Sequence, residues 1–332
     1  MSVSTVFLWQ TAAMLITQDD LDRYVPPKTA MSVKQASLFA DDVKEAFLNP
    51  LTAQGHTLPW PKTHEKLRFR PGEVSLWMGI NSHGKSMVTS QVMLDFLLQG
   101  AKVCIASFEM KPVATLKRMT RQSLGFDNPT ESWIDDFHEF LKDRLWLYDQ
   151  QGTVNPQELL KVISYCADVL GVQHFVVDSL MKCVKNDDDY NGQKELVDRL
   201  TSLARDHNIH IHLVHHSRKL ADESQVPGKY DAKGTGGITD QVDQCFSVWR
   251  NKKKESRLAR GEDDDGVDAL IVCDKNRHGE WEGKIGLFFN KGGQFYGEHS
   301  SWRPHYSERI ERLCQRSQSS STNVVQFSAK SK

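Results

Sequence analysis

No stretch of this 332-residue chain stays apolar for the roughly 18 positions that a membrane-crossing helix needs, so no membrane span is expected. An excess of either charge is missing too: 42 Lys and Arg stand against 43 Asp and Glu, a formal net charge of −1. The field of the whole molecule therefore does not announce a nucleic-acid binder. It leaves room for a protein that threads a strand through a channel with a local basic lining. Cysteine pairs are absent as well. Cys104, Cys166, Cys183, Cys245, Cys273 and Cys314 are scattered with no C-x-x-C, which argues against a zinc site and for reduced, buried thiols of a cytosolic protein. The mildly apolar Met1 to Met14 stretch has no basic region before it and little Arg or Ser. It reads as neither a secretory leader nor a transit peptide. What remains is a chain with 39% apolar and 26% charged residues, enough for one large α/β domain plus extensions, or two small domains.

The strongest signal present is Gly79-Ile80-Asn81-Ser82-His83-Gly84-Lys85-Ser86, which fits the phosphate-binding pattern G-x-x-x-x-G-K-[S/T]. The apolar run Val74-Ser75-Leu76-Trp77-Met78 before it reads as a buried strand. Met87 to Leu98 after it has helical spacing and stops at Gln99-Gly100. Strand, glycine loop and helix are the setting in which backbone N–H groups turn inward around a triphosphate, with the positive end of the helix dipole behind them. In that setting Lys85 reaches the β- and γ-phosphates and the Ser86 hydroxyl holds Mg²⁺.

Residues 1–63 lack a clean α/β rhythm and read as an N-terminal extension. Within it, apolar residues at 36, 39, 40, 43, 46 and 47 predict an amphipathic helix over about 33–48. Two readings of its stripe stand: it packs on its own domain, or it docks on a neighbouring subunit. From Leu67 the strand-like segments 74–79, 102–108, 145–148, 174–178 and 209–214 alternate with helical patterns at 85–99, 112–124, 131–142, 156–170 and 192–207. That alternation predicts a mostly parallel sheet covered by helices on both faces, within a core spanning 64–303. After residue 240 the helical patterns give out, and 245–249, 269–273 and 284–289 read as three strands that extend the sheet. Beyond Pro304 a basic helical fragment runs into Ser317-Gln318-Ser319-Ser320-Ser321-Thr322. Residues 304–332 are thus expected to form a basic, Ser-rich, disordered tail.

The chemistry sits at strand ends. Glu109 follows the second strand, placed to orient and deprotonate an attacking water, or else to serve as an N-terminal charge for the helix begun by Lys111-Pro112. The fourth strand ends Val176-Val177-Asp178, an acid suited to Mg²⁺ directly or through water. The fifth ends in His215-His216, only one of which can point into the site and touch the γ-phosphate. Past them Arg218, Lys219, Lys229 and Lys233 lead to Gly234-Thr235-Gly236, either a loop that grips a phosphodiester backbone or a solvated loop. Lys275 and Arg277, one residue apart at a strand end, suit stabilisation of phosphate charge in cis or in trans.

With these pieces the chain resembles the RecA-like motor domain of the hexameric replicative helicases, the DnaB-type family that includes phage helicase–primases and mitochondrial Twinkle. The resemblance covers about residues 64–297. Leu67-Arg68-Phe69-Arg70-Pro71-Gly72-Glu73 resembles the family's lead-in to the phosphate loop. Ser107-Phe108-Glu109-Met110 matches its "S-L-E-M" segment, whose Glu is the catalytic base. The resemblance implies a Mg²⁺-linked role for Asp178, a γ-phosphate sensor at His216, and a DNA loop at Arg218, Lys219 and Lys233-Gly234-Thr235-Gly236. It makes Lys275 and Arg277 fingers for the next subunit's ATP, and Arg250 and Phe289 a clasp for the base. The implied protein is a ring-forming P-loop NTPase, hexameric, using ATP or another NTP or dNTP with Mg²⁺. It moves 5′→3′ on single-stranded DNA and unwinds forked DNA, with a separate primase, polymerase or loader as partner. No zinc-binding or polymerase-like primase region is evident, and 60-odd N-terminal residues are short for the bacterial N-terminal domain. The expectation is therefore a stripped, phage-encoded motor in the host cytoplasm, at the nucleoid. A RecA/RadA-like recombination ATPase and a non-unwinding ATP-gated clamp or helicase loader stay open as alternatives. His83 is unusual in such a loop and has no evident role.

Overall fold

The computed structural model describes residues 17–24, 35–48, 54–186, 189–218, 222, 225–233 and 237–313. Lys219, Gly234, Thr235 and Gly236, Val33 and Lys34 at the start of the expected amphipathic helix, and the chain beyond 313 lie outside the described residues.

The sheet is organised around β1 (Val74–Gly79), buried along its whole length. The other strands are β2 (Val103–Ser107), β3 (Leu145–Tyr148), β4 (His174–Asp178), β5 (His210–His216), β6 (Gln244–Arg250), β7 (Ala269–Asn276), β8 (Gly283–Asn290) and β9 (Phe295–Gly297). They lie in the order β3-β2-β4-β5-β1-β6-β7-β8-β9. The pairs from β3 to β6 are parallel, and those from β6 to β9 antiparallel. The pleat sorts β1 by alternation: Val74, Leu76 and Met78 join one core, Trp77 the other. The first core is covered by α6 (Pro156–Asp168) and α7 (Tyr190–Asp206), the second by α3 (Lys85–Leu98), α4 (Pro112–Leu124) and α5 (Glu131–Leu141). This is the expected α/β architecture with its β extension. No described helix is long and apolar enough to cross a membrane, and the five described cysteines are free and buried.

The boundaries differ in places. Residues 54–63, assigned above to the extension, are built into the core: Leu58 and Trp60 are fully buried, and the Trp60 indole donates to the Tyr296 carbonyl at 2.9 Å. α1 (Gln18–Arg23) also docks, through Leu21 and a Tyr24–Asp168 hydrogen bond to α6. Residues 306–313 form a helix whose Tyr306 and Ile310 are buried and whose Arg309 lies 3.3 Å from Asp95, so the expected tail does not begin at 304. The short helix α8 (Gly237–Gln241) leads into β6, and after residue 240 a helix does occur between the strands, α9 (Lys252–Ala259). The sequence of α9, KKKESRLA, has no apolar stripe to reveal it. It is held by the Asn251 cap and by ion pairs instead. The amphipathic stripe is helical over the 3₁₀ turn Ala36–Phe39 and α2 (Ala40–Leu48), yet Leu38, Phe39, Val43, Phe47 and Leu48 are all exposed. Among the described residues nothing buries this stripe.

A row of histidines crosses the second core. Trp77 Nε1 donates to His212 Nδ1 (3.3 Å); His212 Nε2 lies 3.1 Å from His174 Nδ1, and His174 Nε2 lies 2.8 Å from His56 Nδ1. An indole only donates, so each ring in turn accepts at Nδ1 and donates from Nε2. Burial holds these rings below the usual imidazole range: His174 and His212 lie well below it, His210 at about 3, and His215, on the opposite face of β5, at about 4. The unfolded chain takes up protons as pH falls through about 6.5, while the folded chain does not. Stability is therefore complete above that pH and is lost as pH falls towards the folded-state values, by up to about 1.4 kcal/mol per pH unit for each such histidine. The urea midpoint should drop steeply between pH 7 and 5; a flat profile there would exclude neutral buried rings.

Candidate nucleotide-binding site

The loop after β1 has little room. A Cβ at Gly79 would lie 2.4 Å from the Val248 carbonyl of β6, and one at Gly84 would lie 2.6 Å from the Tyr296 hydroxyl oxygen. Gly84 also takes φ +87°, a left-handed conformation that costs an L-residue about 1 kcal/mol. His83 is buried between them, and its Nδ1 accepts the Arg250 backbone N–H at 3.1 Å. That gives the odd histidine a role: it ties the loop to the end of β6. Lys85 folds back into the loop, donating to the carbonyls of Gly79 (2.9 Å) and Ile80 (3.1 Å). Burial pushes Lys85 down to about 8, against the pull of Asp178 and Glu109.

Parallel strands bring the other groups to the same edge. Ser107 pairs with Asp178, and Gly79 with His216, so the ends of β2, β4, β1 and β5 meet. Burial, with Glu109 nearby, holds the Asp178 carboxyl above its usual range, against the opposite pull of Ser86, Lys85 and Arg118. Glu109 accepts from the Ser179 hydroxyl at 3.3 Å and lies 3.7 Å from His216 Nε2. Lys85 Nζ is 3.3 Å from His216 Nδ1; an ammonium only donates, so the His216 proton sits on Nε2, facing Glu109. His215 points to the opposite face, where its Nε2 bonds the Lys233 carbonyl. The pleat therefore decides between the two: His216 faces the cleft.

The cleft holds about 500 Å³. Asn81, Ser82, Lys85, Ser86, Glu109, Asp178 and His216 line it, together with Arg250, Glu255, Asp268, Phe289 and Tyr296. Arg118 of α4 lines it too, with its Nη1 donating to the Ser86 carbonyl at 3.1 Å. Sequence reasoning passed over Arg118, although a cation beside the buried positions Thr115, Met119 and Gln122 of an amphipathic helix is a usable signal.

Lys275 and Arg277 are not among the lining residues. Lys275 donates to the carbonyls of Thr239 (2.8 Å) and Asp240 (2.9 Å) of α8, and Arg277 pairs with Asp243 at 2.9 Å. Lys275 stands opposite Cys245 on β6 whereas Gly79 abuts Val248, so three residues of strand, roughly 10 Å, separate them along the sheet. In the basic segment, Ser217 bridges Ala232, Arg218 pairs with Asp231 at 2.6 Å, Lys229 sits in a 3₁₀ turn, and the Lys233 N–H donates to the His216 carbonyl at 2.9 Å.

Gly84→Ala should cost about 1–3 kcal/mol of stability through its positive φ and the crowding at Tyr296. It should also weaken nucleotide binding, read by titration with a fluorescent nucleotide. Adding Tyr296→Phe should recover the crowding part alone. An alanine variant as stable as the parent would refute the packing argument.

The family model described as AAA domain matches residues 53–222, just over half of the chain. Among solved structures, one ATPase domain superposes with a TM-score of 0.68 at 14% identity, covering 80% of this chain and 99% of that one. A DnaB-like replicative helicase, described with its interactions with primase, gives a TM-score of 0.64 at 14% identity over 80% of this chain and 67% of that one. At that identity the likeness is one of fold. The chain belongs to the AAA domain family, with the RecA-like fold it shares with these two proteins.

Proposed function

We propose that the protein is an ATP-hydrolysing ring motor, a hexameric replicative DNA helicase that translocates 5′→3′ on single-stranded DNA. The observation that carries this reading is a charge deficit. Three cations (Lys85, Arg118, Arg250) and four carboxylates (Glu109, Asp178, Glu255, Asp268) line the cleft, which therefore opposes a polyanionic triphosphate with a formal charge of −1. A site of that balance calls for further positive charge, part of it from Mg²⁺ and part, in this reading, from a neighbouring subunit. Lys275 and Arg277, bound at the other end of the sheet, suit a neighbouring copy's nucleotide better than their own.

In this reading Lys85 holds the β- and γ-phosphates and Arg118 supports them from α4. Glu109 takes the proton of the attacking water, and His216 contacts the γ-phosphate. Ser86 and Asp178, a hydroxyl and a buried carboxylate that line the same cleft, form a hard-oxygen pair that fits Mg²⁺. Bound there, the metal would neutralise phosphate charge. The basic segment from Arg218 to Lys233, with Lys219 and Gly234-Thr235-Gly236, grips the DNA backbone in the ring's channel. The exposed apolar side of Ala36–Leu48 braces the next subunit. A separate primase, polymerase or loader completes the assembly.

Forked-duplex strand displacement tests the activity. Wild type should separate strands, and Lys85→Ala and Arg277→Ala should each lose hydrolysis by a hundredfold or more, given that such a finger is worth about 10³–10⁵. Hydrolysis stimulated by DNA without strand separation would favour the clamp or loader, and filaments in place of rings the recombination ATPase. Rings mixed from the two variants, their co-assembly verified by mass, should regain part of the rate. No recovery in verified mixed rings would exclude Arg277 acting in trans.

A further inference from the structure

Helix α9 contributes Glu255 to the cleft, beside Arg250 and Phe289. Arg250 is the last residue of β6 and Phe289 lies on β8; both line the cleft, and neither is held by the sheet alone. Glu255 takes the Arg250 guanidinium in a two-point fork, Nε to Oε1 and Nη2 to Oε2 (2.8 Å). Its neighbour Lys254, with a buried side chain, pairs with Asp268 at 2.7 Å and donates to the Gly266 carbonyl. Asp268 in turn accepts the Phe289 backbone N–H at 2.7 Å, and its own carbonyl accepts the Asn251 N–H at 2.8 Å. Two consecutive residues of one short helix thus hold Arg250 directly and Phe289 through Asp268. The Arg250 backbone is also fixed, by its N–H to His83 in the phosphate loop.

The fork matters for its geometry rather than its charge. Both side chains are 42% exposed, so the ion pair contributes little attraction of its own. A planar guanidinium engaged at two nitrogens nevertheless has its plane set before any ligand arrives, whereas a free arginine surrenders several rotatable bonds on binding. We propose that Glu255 is a positioning residue for the nucleobase, presenting Arg250 as a preset flat surface on which the base stacks beside Phe289. The inference rests on the reading of Arg250 and Phe289 as the base clasp, and it adds to that reading the residue that orients it.

The test compares ATP with inorganic tripolyphosphate, which has the phosphates and no base. Arg250→Ala and Glu255→Ala should each weaken ATP binding roughly five- to tenfold, the cost of immobilising one long side chain or losing its contact. Tripolyphosphate binding should be weakened clearly less than ATP binding, and KM for ATP should rise with kcat retained. The double variant should bind ATP no worse than Arg250→Ala alone, because Glu255 acts through Arg250. Glu255→Gln, which keeps one acceptor oxygen, should fall between wild type and Glu255→Ala. The inference is overturned if Glu255→Ala leaves ATP affinity intact, adds its full effect to Arg250→Ala, or weakens tripolyphosphate equally. If Arg250→Ala itself leaves ATP affinity intact, the base clasp is wrong and the role of Glu255 falls with it.

Discussion

The phosphate loop is a tight fit between parts of the chain that are far apart in sequence, and the rest of the site depends on that fit. Gly79 abuts the Val248 carbonyl, Gly84 lies under the Tyr296 hydroxyl, and His83 is buried on the Arg250 N–H. Val248 and Arg250 belong to β6 and Tyr296 to β9. The antiparallel extension is therefore a wall of the nucleotide site rather than an appendage to it. Tyr296 is anchored from behind: its N–H and carbonyl bond the Gln91 side chain of α3 (2.8 and 2.9 Å), and the carbonyl also accepts the Trp60 indole. Loop, following helix and last strand form one closed circuit of contacts. Movement of any one of them is felt at the phosphates.

The same arrangement separates the charges by sheet end. Parallel strands deliver Glu109, Asp178 and His216 to the edge where β1 turns into the loop, as open α/β sheets do. An antiparallel strand runs the other way, so Lys275 and Arg277 at the end of β7 are carried to the opposite edge, where the α8 carbonyls and Asp243 receive them. Strand direction alone keeps Glu109 and Asp178 apart from Lys275 and Arg277 within one copy.

Much of this was legible because the informative residues sit where sequence pattern and geometry coincide. A buried strand followed by Gly79–Ser86, or an apolar run that ends in Asp178, specifies both an element and an edge. Features that depend on tertiary partners were not legible. Helix α9 has no apolar stripe, since its partners are Arg250 and Asp268 rather than a core. The core histidines look polar in sequence and are neutral in the fold because Trp77 and one another satisfy them. The stripe of Ala36–Leu48 was readable as a helix, while what covers it was not, because periodicity says only that one face is apolar. Residues 54–63 have no strand or helix pattern and enter the core through single large side chains, Leu58 and Trp60.

The adjacent histidines at the end of β5 join the nucleotide cleft to the basic segment. Consecutive strand residues face opposite ways, so His216 turns its ring to Lys85 and Glu109 while His215 turns away. Lys233 is then held from both sides of its own backbone: its N–H donates to the His216 carbonyl, and its carbonyl receives His215 Nε2. His215 is fully buried and holds that contact as a neutral ring, so its end of the grip does not depend on protonation near neutral pH. The His216 ring in the cleft and the carbonyl that accepts the Lys233 N–H belong to the same residue. Coupling between a phosphate and a distant loop usually needs a chain of contacts. Here one strand end joins the cleft to the basic segment, because the pleat turns the neighbouring His216 and His215 to opposite faces.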